Sequence, residues 1–287
     1  MARGRFNFRK ANASVALRRL SWTPSDIGPS LYAWYDAADR ASIFIGTGVS
    51  QWSDKSGGGR NLVQSVGSSQ PAYEANGLNG LPTVAFDGSN DSLGSSPLSY
   101  PWAAPLAQPY TVVQLARPVP FAKAGGALNS RVWSAWDPNF GGSGQSQVFE
   151  YNQTYLGSVL LRQLMFPDFW GAIDIWSDVG VPLINQGIGM TATVFNGASS
   201  YRRTYGTQGS NVLVTTRGLY GLTLGAEGQG LSGASSWADV RYSEFLVLTG
   251  VPQTSLLQQI EGYLAWKWGV VAGLPAGHPY KSFAPRR

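Results

Sequence analysis

The chain is 287 residues long, 43% hydrophobic and only 13% charged, a balance that excludes a charged disordered chain. It contains no cysteine, which excludes disulfides, thiolate metal sites and thiol catalysis, and no apolar run nears the roughly 20 residues that a bilayer crossing needs. The net charge of +5 is uneven: the tails carry nine positive charges, six in residues 1–20 and three in 281–287, which leaves −4 for the body between them.

Residues 1–29 read as a basic N-terminal arm and linker. Arg3, Arg5, Arg9, Lys10, Arg18 and Arg19 stand there without an acid, Phe6 and Phe8 alternate with polar residues, and Val15 to Leu20 can form a helical turn on docking. A basic segment on a mildly acidic body suggests a docking arm and argues poorly for specific nucleic-acid binding. No apolar stretch follows it, so it does not read as a secretory signal.

From Ser30 onward, short apolar segments alternate with Gly, Ser, Asn and Asp turns. Strands are predicted at Tyr32–Tyr35, Thr83–Phe86, Tyr110–Leu115, Val132–Trp136, Val148–Tyr151, Thr191–Phe195, Tyr220–Leu224 and Arg241–Leu248. Segments 94–108 and 137–147 read as loops. This punctuation favours an all-β, two-sheet antiparallel sandwich over alternating strands and helices. One helix is predicted. Pro252 can open it, Leu256, Leu257, Ile260, Tyr263, Leu264 and Trp268 recur on one face, and Gly269 can close it. Its apolar stripe reads as the seam of a helix covering one edge of the sandwich. A short tail, 284–287, closes the chain.

Three stretches carry a resemblance: Leu31-Tyr-Ala-Trp-Tyr-Asp-Ala-Ala-Asp39 with Val49-Ser-Gln-Trp-Ser-Asp-Lys-Ser-Gly57; Gly77-Leu-Asn-Gly-Leu-Pro-Thr-Val-Ala-Phe-Asp-Gly-Ser-Asn-Asp91; and Ile260-Glu-Gly-Tyr-Leu-Ala-Trp-Lys-Trp-Gly269 with His278-Pro-Tyr-Lys281. Together they resemble the concanavalin A-like (laminin-G-like) jelly-roll domains of phage structural proteins and bacterial surface proteins. The resemblance spans roughly residues 30–283 and implies a jelly roll with one C-terminal covering helix behind an extended N-terminal arm. It names no ligand, because fold does not imply function.

Chemistry is sparse. Glucanases on this fold class carry two or three carboxylates on one strand face. Here Asp174 and Asp178 are four apart with no Glu beside them, Asp239 and Glu244 are five apart and fall on opposite faces of a regular strand, and Glu150 stands alone. The only histidine, His278, reads as a tail residue making one hydrogen bond, so a Ser-His-Asp site is not expected. Gly225-Ala-Glu-Gly-Gln-Gly230 lacks the strand–helix context of a dinucleotide loop. No cofactor is expected. Asp87, Asn90 and Asp91 offer oxygens that suit calcium, although turns favour the same residues. Trp170, Trp176, Tyr201 and Arg202 are candidates for a glycan or partner patch, since aromatics and Arg serve both.

The expected function is a non-catalytic virion protein: a capsid decoration, spike or tail-attached subunit. Its arm binds other virion proteins, its lectin-like domain adheres to host or environmental glycans, and it is oligomeric within the assembly, with no membrane partner. A receptor-binding lectin and a polysaccharide hydrolase are the alternatives.

Overall fold

The computed structural model describes residues 21–95, 102, 106–118, 131–136, 146–155, 158–165, 173–175, 189–211, 218–228 and 234–287. The arm residues 1–20 and the patch residues Trp170 and Trp176 lie outside them.

The strands in chain order are β1 (Leu31–Asp36), β2 (Ile43–Ile45), β3 (Val49–Trp52), β4 (Leu62–Val63), β5 (Ala72–Leu78), β6 (Leu81–Asp87), β7 (Leu93–Ser95), β8 (Tyr110–Pro118), β9 (Arg131–Trp136), β10 (Ser146–Tyr155), β11 (Ser158–Met165), β12 (Ile173–Ile175), β13 (Gly189–Phe195), β14 (Tyr201–Thr204), β15 (Thr207–Gln208), β16 (Thr223–Leu224), β17 (Glu227–Gly228), β18 (Ala234–Ser235) and β19 (Asp239–Thr249). One antiparallel sheet runs β15-β14-β13-β8-β19-β6-β5, with β1 also on β19, and the other runs β12-β11-β10-β9-β16-β7-β4-β3-β2. Each predicted strand lies in or overlaps one of these, and the all-β sandwich with one C-terminal helix is what the sequence pattern called for. At Tyr220–Leu224 only Thr223 and Leu224 pair, while Leu219 bridges to Leu106.

Aromatic rings bind the layers. Tyr35 meets Trp52 at 5.9 Å, Trp133 meets Phe245 at 6.0 Å and Phe195 at 6.4 Å, and Phe86 meets Tyr242 at 5.9 Å, mostly edge to face. Such pairs add about 0.5–1.5 kcal/mol each beyond the area they bury. Trp133 is thus core.

The central strand β19 shows how tertiary structure changes sequence periodicity. Its register on β8 shifts between Tyr242 and Glu244, so Ser243 is an extra, bulged residue. The bulge puts Tyr242 and Phe245 on the same inner face, 6.0 Å apart. It also puts Asp239, Arg241 and Glu244 together on the outer face, which corrects the expectation that Asp239 and Glu244 point to opposite sides. At the same place β19 changes neighbours, pairing with β6 through Tyr242 and with β1 from Glu244 onward.

The helix α1 (Thr254–Lys267) covers this outer face, burying Leu257, Ile260 and Leu264. Gln253 caps it, one residue after the predicted opening at Pro252, and Gly269 at φ 69° ends it. Asn79 and Gly80, both at positive φ, turn the β5–β6 hairpin, and Asn79 Nδ2 donates to the Trp268 carbonyl at 2.7 Å. The hairpin tip therefore caps the end of α1.

The segments flanking the predicted domain also pack on it. Trp22 is 6% exposed and lies edge-on to Tyr263 at 5.9 Å, its N–H donates to the Pro285 carbonyl, and Ser21 bridges Arg286. Residues 21–29, expected as linker, and 284–287, expected as a separate tail, thus form a clasp against the sandwich. Burial of a large indole holds them there.

Candidate functional site

Two arrangements stand out, one polar and sealed beneath α1, the other half-open at the sandwich rim. The sealed one gathers residues from both ends of the chain. Glu244, fully buried, accepts from Trp34 Nε1 at 2.7 Å, Trp268 Nε1 at 2.8 Å and Lys267 Nζ at 2.7 Å. Lys267 also donates to Asp36 Oδ1 at 2.6 Å and to Tyr263 Oη at 3.0 Å. Lys55 reaches Asp36 at 2.9 Å and Asp39 at 2.7 Å, and its ammonium lies 4.2 Å from the Trp34 ring centre. Burial pushes the Glu244 carboxyl up, Lys267 pulls it back, and Asp36 raises it again. Burial and the same two acids raise the Tyr263 phenol. Every polar atom of Glu244 is engaged, as a buried charge requires. The network joins side chains from the first and third of the resembling stretches to Glu244 of β19.

The rim arrangement grows out of that scaffold. In loop 53–61 the Asp54 carboxylate accepts from the Trp34 and Ser56 N–H groups at 3.0 and 2.8 Å and from the Arg60 N–H and the Ser56 hydroxyl at 3.1 and 2.8 Å. Asp54 and Ser56 thus close a turn of side chain on backbone, with Gly57 at positive φ. Tyr35 Oη donates to the Arg60 carbonyl. The loop holds the Arg60 guanidinium 3.5 Å from the Tyr32 ring centre, with one N–H on the Tyr32 carbonyl at 2.9 Å. Tyr32 meets Trp102 edge to face at 5.2 Å. Tyr32 and Arg60 are half-buried, and the buried Trp102 Nε1 donates to no acceptor among the described residues. A flat ring and a fixed fork of donors are groups that hydroxyl-rich ligands engage. Tyr32 lies in a quoted block, but nothing in the spacing of Arg60 or Trp102 joins them to it; only folding does.

The other candidate residues fall elsewhere. Tyr201 is half-buried, and Arg202 is 1% exposed, which takes it out of any surface patch. Its neighbour Arg203 grips Glu261 through two hydrogen bonds of 2.7 and 3.0 Å. His278 is buried beside them: its Nδ1 accepts from the Tyr280 N–H at 3.2 Å and its Nε2 lies 3.2 Å from Glu261 Oε2. The imidazole thus makes two hydrogen bonds where one was expected: one closes a local turn at Tyr280, and the other ties the C-terminal segment to α1. Asp87 Oδ1 accepts from the Ser89 and Asn90 N–H groups, Asp91 Oδ2 from the Asp87 N–H, and Asn90 donates to the Ser68 carbonyl. The three residues close a turn, and burial with the Asp87 charge lifts the Asp91 carboxyl to about 6. Among the described residues no cluster of three or more His, Asp or Glu is placed to hold a metal ion. Nor is any described helix long and apolar enough to cross a membrane. Asp174 lies in β12, and Asp178 lies outside the described residues.

No family model matches the sequence, and no curated protein does. Solved structures do match in fold. Domain 4 of an extracellular arabinanase from Geobacillus stearothermophilus, solved with arabinotriose, superposes with a TM-score of 0.51 at 12% identity over 81% of this chain and 98% of that one. The binding domain of Paraclostridial Mosquitocidal Protein 1 gives 0.52 at 12% identity over 83% and 52%. Trypanosoma rangeli sialidase gives 0.50 at 11% identity over 83% and 33%. The chain thus spans about a third of the sialidase and half of the mosquitocidal binding domain. The likeness is one of fold. It shows an antiparallel β-sandwich and nothing of what the chain binds.

Proposed function

We propose that the chain is a non-catalytic, lectin-like adhesion domain that binds carbohydrate at the Tyr32–Arg60–Trp102 rim, and that the basic arm holds it in a larger particle, a phage virion. The observation that carries the reading is the preorganised rim. Four hydrogen bonds to Asp54 fix a loop whose product is a guanidinium stacked on a half-exposed tyrosine, with the Trp102 ring edge-on behind it. Building such a site on a rigid support lowers the entropy cost of binding. The outer-face carboxylates of β19 support the non-catalytic part. Glu244 is sealed under α1 and Asp239 is paired with Arg241 at 2.6 Å, so neither is poised as the acid or base of a glycosidase. The arm supports the virion part through its charge alone.

The test is a glycan array that includes arabino-oligosaccharides and sialylated glycans, probed with the full chain and with Arg60→Ala and Tyr32→Ser. We expect selective retention by the wild type, loss of at least about tenfold in affinity in both variants at unchanged folding, and no release of reducing ends. A blank array, or an Arg60→Ala protein that binds as the wild type does, overturns the carbohydrate reading.

A further inference from the structure

The sealed network beneath α1 brings an amine and two carboxyls to one nitrogen. Lys267 Nζ lies 2.6 Å from Asp36 Oδ1 and 2.7 Å from Glu244 Oε2. Water is largely kept out, since the side chains of Asp36 and Glu244 are 7% and 0% exposed and that of Lys267 is 20%. The Trp268 and Tyr263 ring centres stand 5.1 and 5.3 Å from the nitrogen. Each partner is also held from behind. Glu244 takes one indole N–H on each oxygen, and Asp36 takes Lys55 Nζ on Oδ2 at 2.9 Å and the Ala38 N–H on Oδ1 at 3.1 Å. Two other ion pairs of the domain lack this combination. Lys55 faces Asp36 and Asp39, but the Asp39 side chain is 36% exposed and open to water. Arg203 grips the buried Glu261 with a guanidinium, which keeps its proton and is no nucleophile.

We propose that Lys267 and Asp36 condense into an isopeptide bond, with Glu244 carrying the protons. The ion-paired arrangement described above is the reactant. Glu244 takes a proton from the Lys267 ammonium, which frees the nitrogen lone pair. The lone pair attacks Asp36 Cγ and the C–N bond forms, while the Lys55 ammonium on Oδ2 steadies the negative charge of the tetrahedral intermediate. Glu244 passes its proton to Oδ1, takes a second from the nitrogen and passes that on as well. The Cγ–Oδ1 bond breaks, Oδ1 leaves as water, and one hydrogen stays on the amide nitrogen. Glu244 ends as the carboxylate it was, and nothing is oxidised or reduced. Burial pushes its carboxyl up, which suits it to accept the proton. Two features favour a condensation that free ions in water resist. The fold holds the partners in contact, so the step is unimolecular. The product is a neutral amide in place of a charge pair that burial penalises. The bond would weld β1 to α1 across 231 residues of chain. The inference rests on neither half of the proposed function.

The test is the mass of the denatured full chain, with a map of its tryptic peptides, after incubation of the folded protein at neutral pH. The wild type should be one water lighter than its sequence and should yield a branched peptide that joins the segment of Asp36 to that of Lys267. Lys267→Arg should keep the full sequence mass. Glu244→Gln retains a side chain of the same shape but cannot carry the protons, so it should fold, as circular dichroism reports, and keep the full mass too. A wild type at full sequence mass, a water lost between any other pair of residues, or a folded Glu244→Gln linked as completely as the wild type overturns the proposal. The first two results need no variant, so a Glu244→Gln protein that fails to fold leaves the decision with the wild-type mass and map.

Discussion

Removing the carboxylate at position 244 probes the link between α1 and the sheet. Glu244→Ala would leave the Trp34 and Trp268 indole N–H groups without their acceptor and take one of two acids from Lys267. Breaking a buried ion pair costs about 3–5 kcal/mol, a range that already includes most of the penalty for stranded donors. The site is fully buried, so water does not soften the loss. A domain of ordinary stability, about 5–15 kcal/mol, would lose from about a fifth of its margin to nearly all of it. Lys267→Met should cost a similar amount, because it leaves the fully buried Glu244 carboxylate without its cation, although both indoles still donate to it. In the double variant Glu244→Ala with Lys267→Met no charge of the pair remains, so its cost should fall short of the sum of the two single changes by about 1–3 kcal/mol. The assay is urea unfolding followed by tryptophan fluorescence and far-ultraviolet circular dichroism. A Glu244→Ala loss below about 1 kcal/mol, or strict additivity in the cycle, would refute the claim that this network fastens the helix.

Two further outcomes follow from the same reasoning. The Asp91 carboxyl is lifted to about 6 by burial and by the Asp87 charge, whereas in the unfolded chain it has its ordinary value near about 4. Between these values the folded state holds a proton that the unfolded state releases, so its contribution is full below about pH 4 and is lost as pH rises through about 6. Asp91→Asn, which keeps an acceptor for the Asp87 N–H, should therefore gain on the wild type from about pH 4 to 6 and then hold a constant advantage; parallel urea midpoints across that range would contradict this. Deleting residues 1–20 should leave the melting temperature within a few degrees of the full chain, whereas deletion through Trp22 should cost about 3–5 kcal/mol, since that indole is buried against Tyr263. Equal stability of the two truncations would show that the clasp contributes nothing.

Much of the fold was written in local pattern. Alternating apolar strands, turn residues such as Asn79-Gly80 and Asp54-Lys-Ser-Gly57, and the apolar seam of α1 ending at Gly269 are short-range signals, because they depend on backbone preferences and on periods of 2 and 3.6 residues. The uneven charge was legible too, as a plain property of composition. What the residues could not state alone was any fact that depends on long-range closure. The bulge at Ser243 reverses the alternation of β19 because this strand must hand its edge from β6 to β1, and so Asp239 and Glu244 share a face that even spacing denies them. Arg202, expected in a surface patch, is buried, and so is His278, because packing sets Glu261 of α1 and the turn at Gly206 against the C-terminal segment. Arg60, Tyr32 and Trp102 meet only when a loop, an edge strand and a distant segment converge at the rim. Trp22 and Pro285, near opposite ends of the described chain, are joined only by the clasp. Local preferences chose the elements, and the packing of the two sheets and the helix chose which side chains face one another.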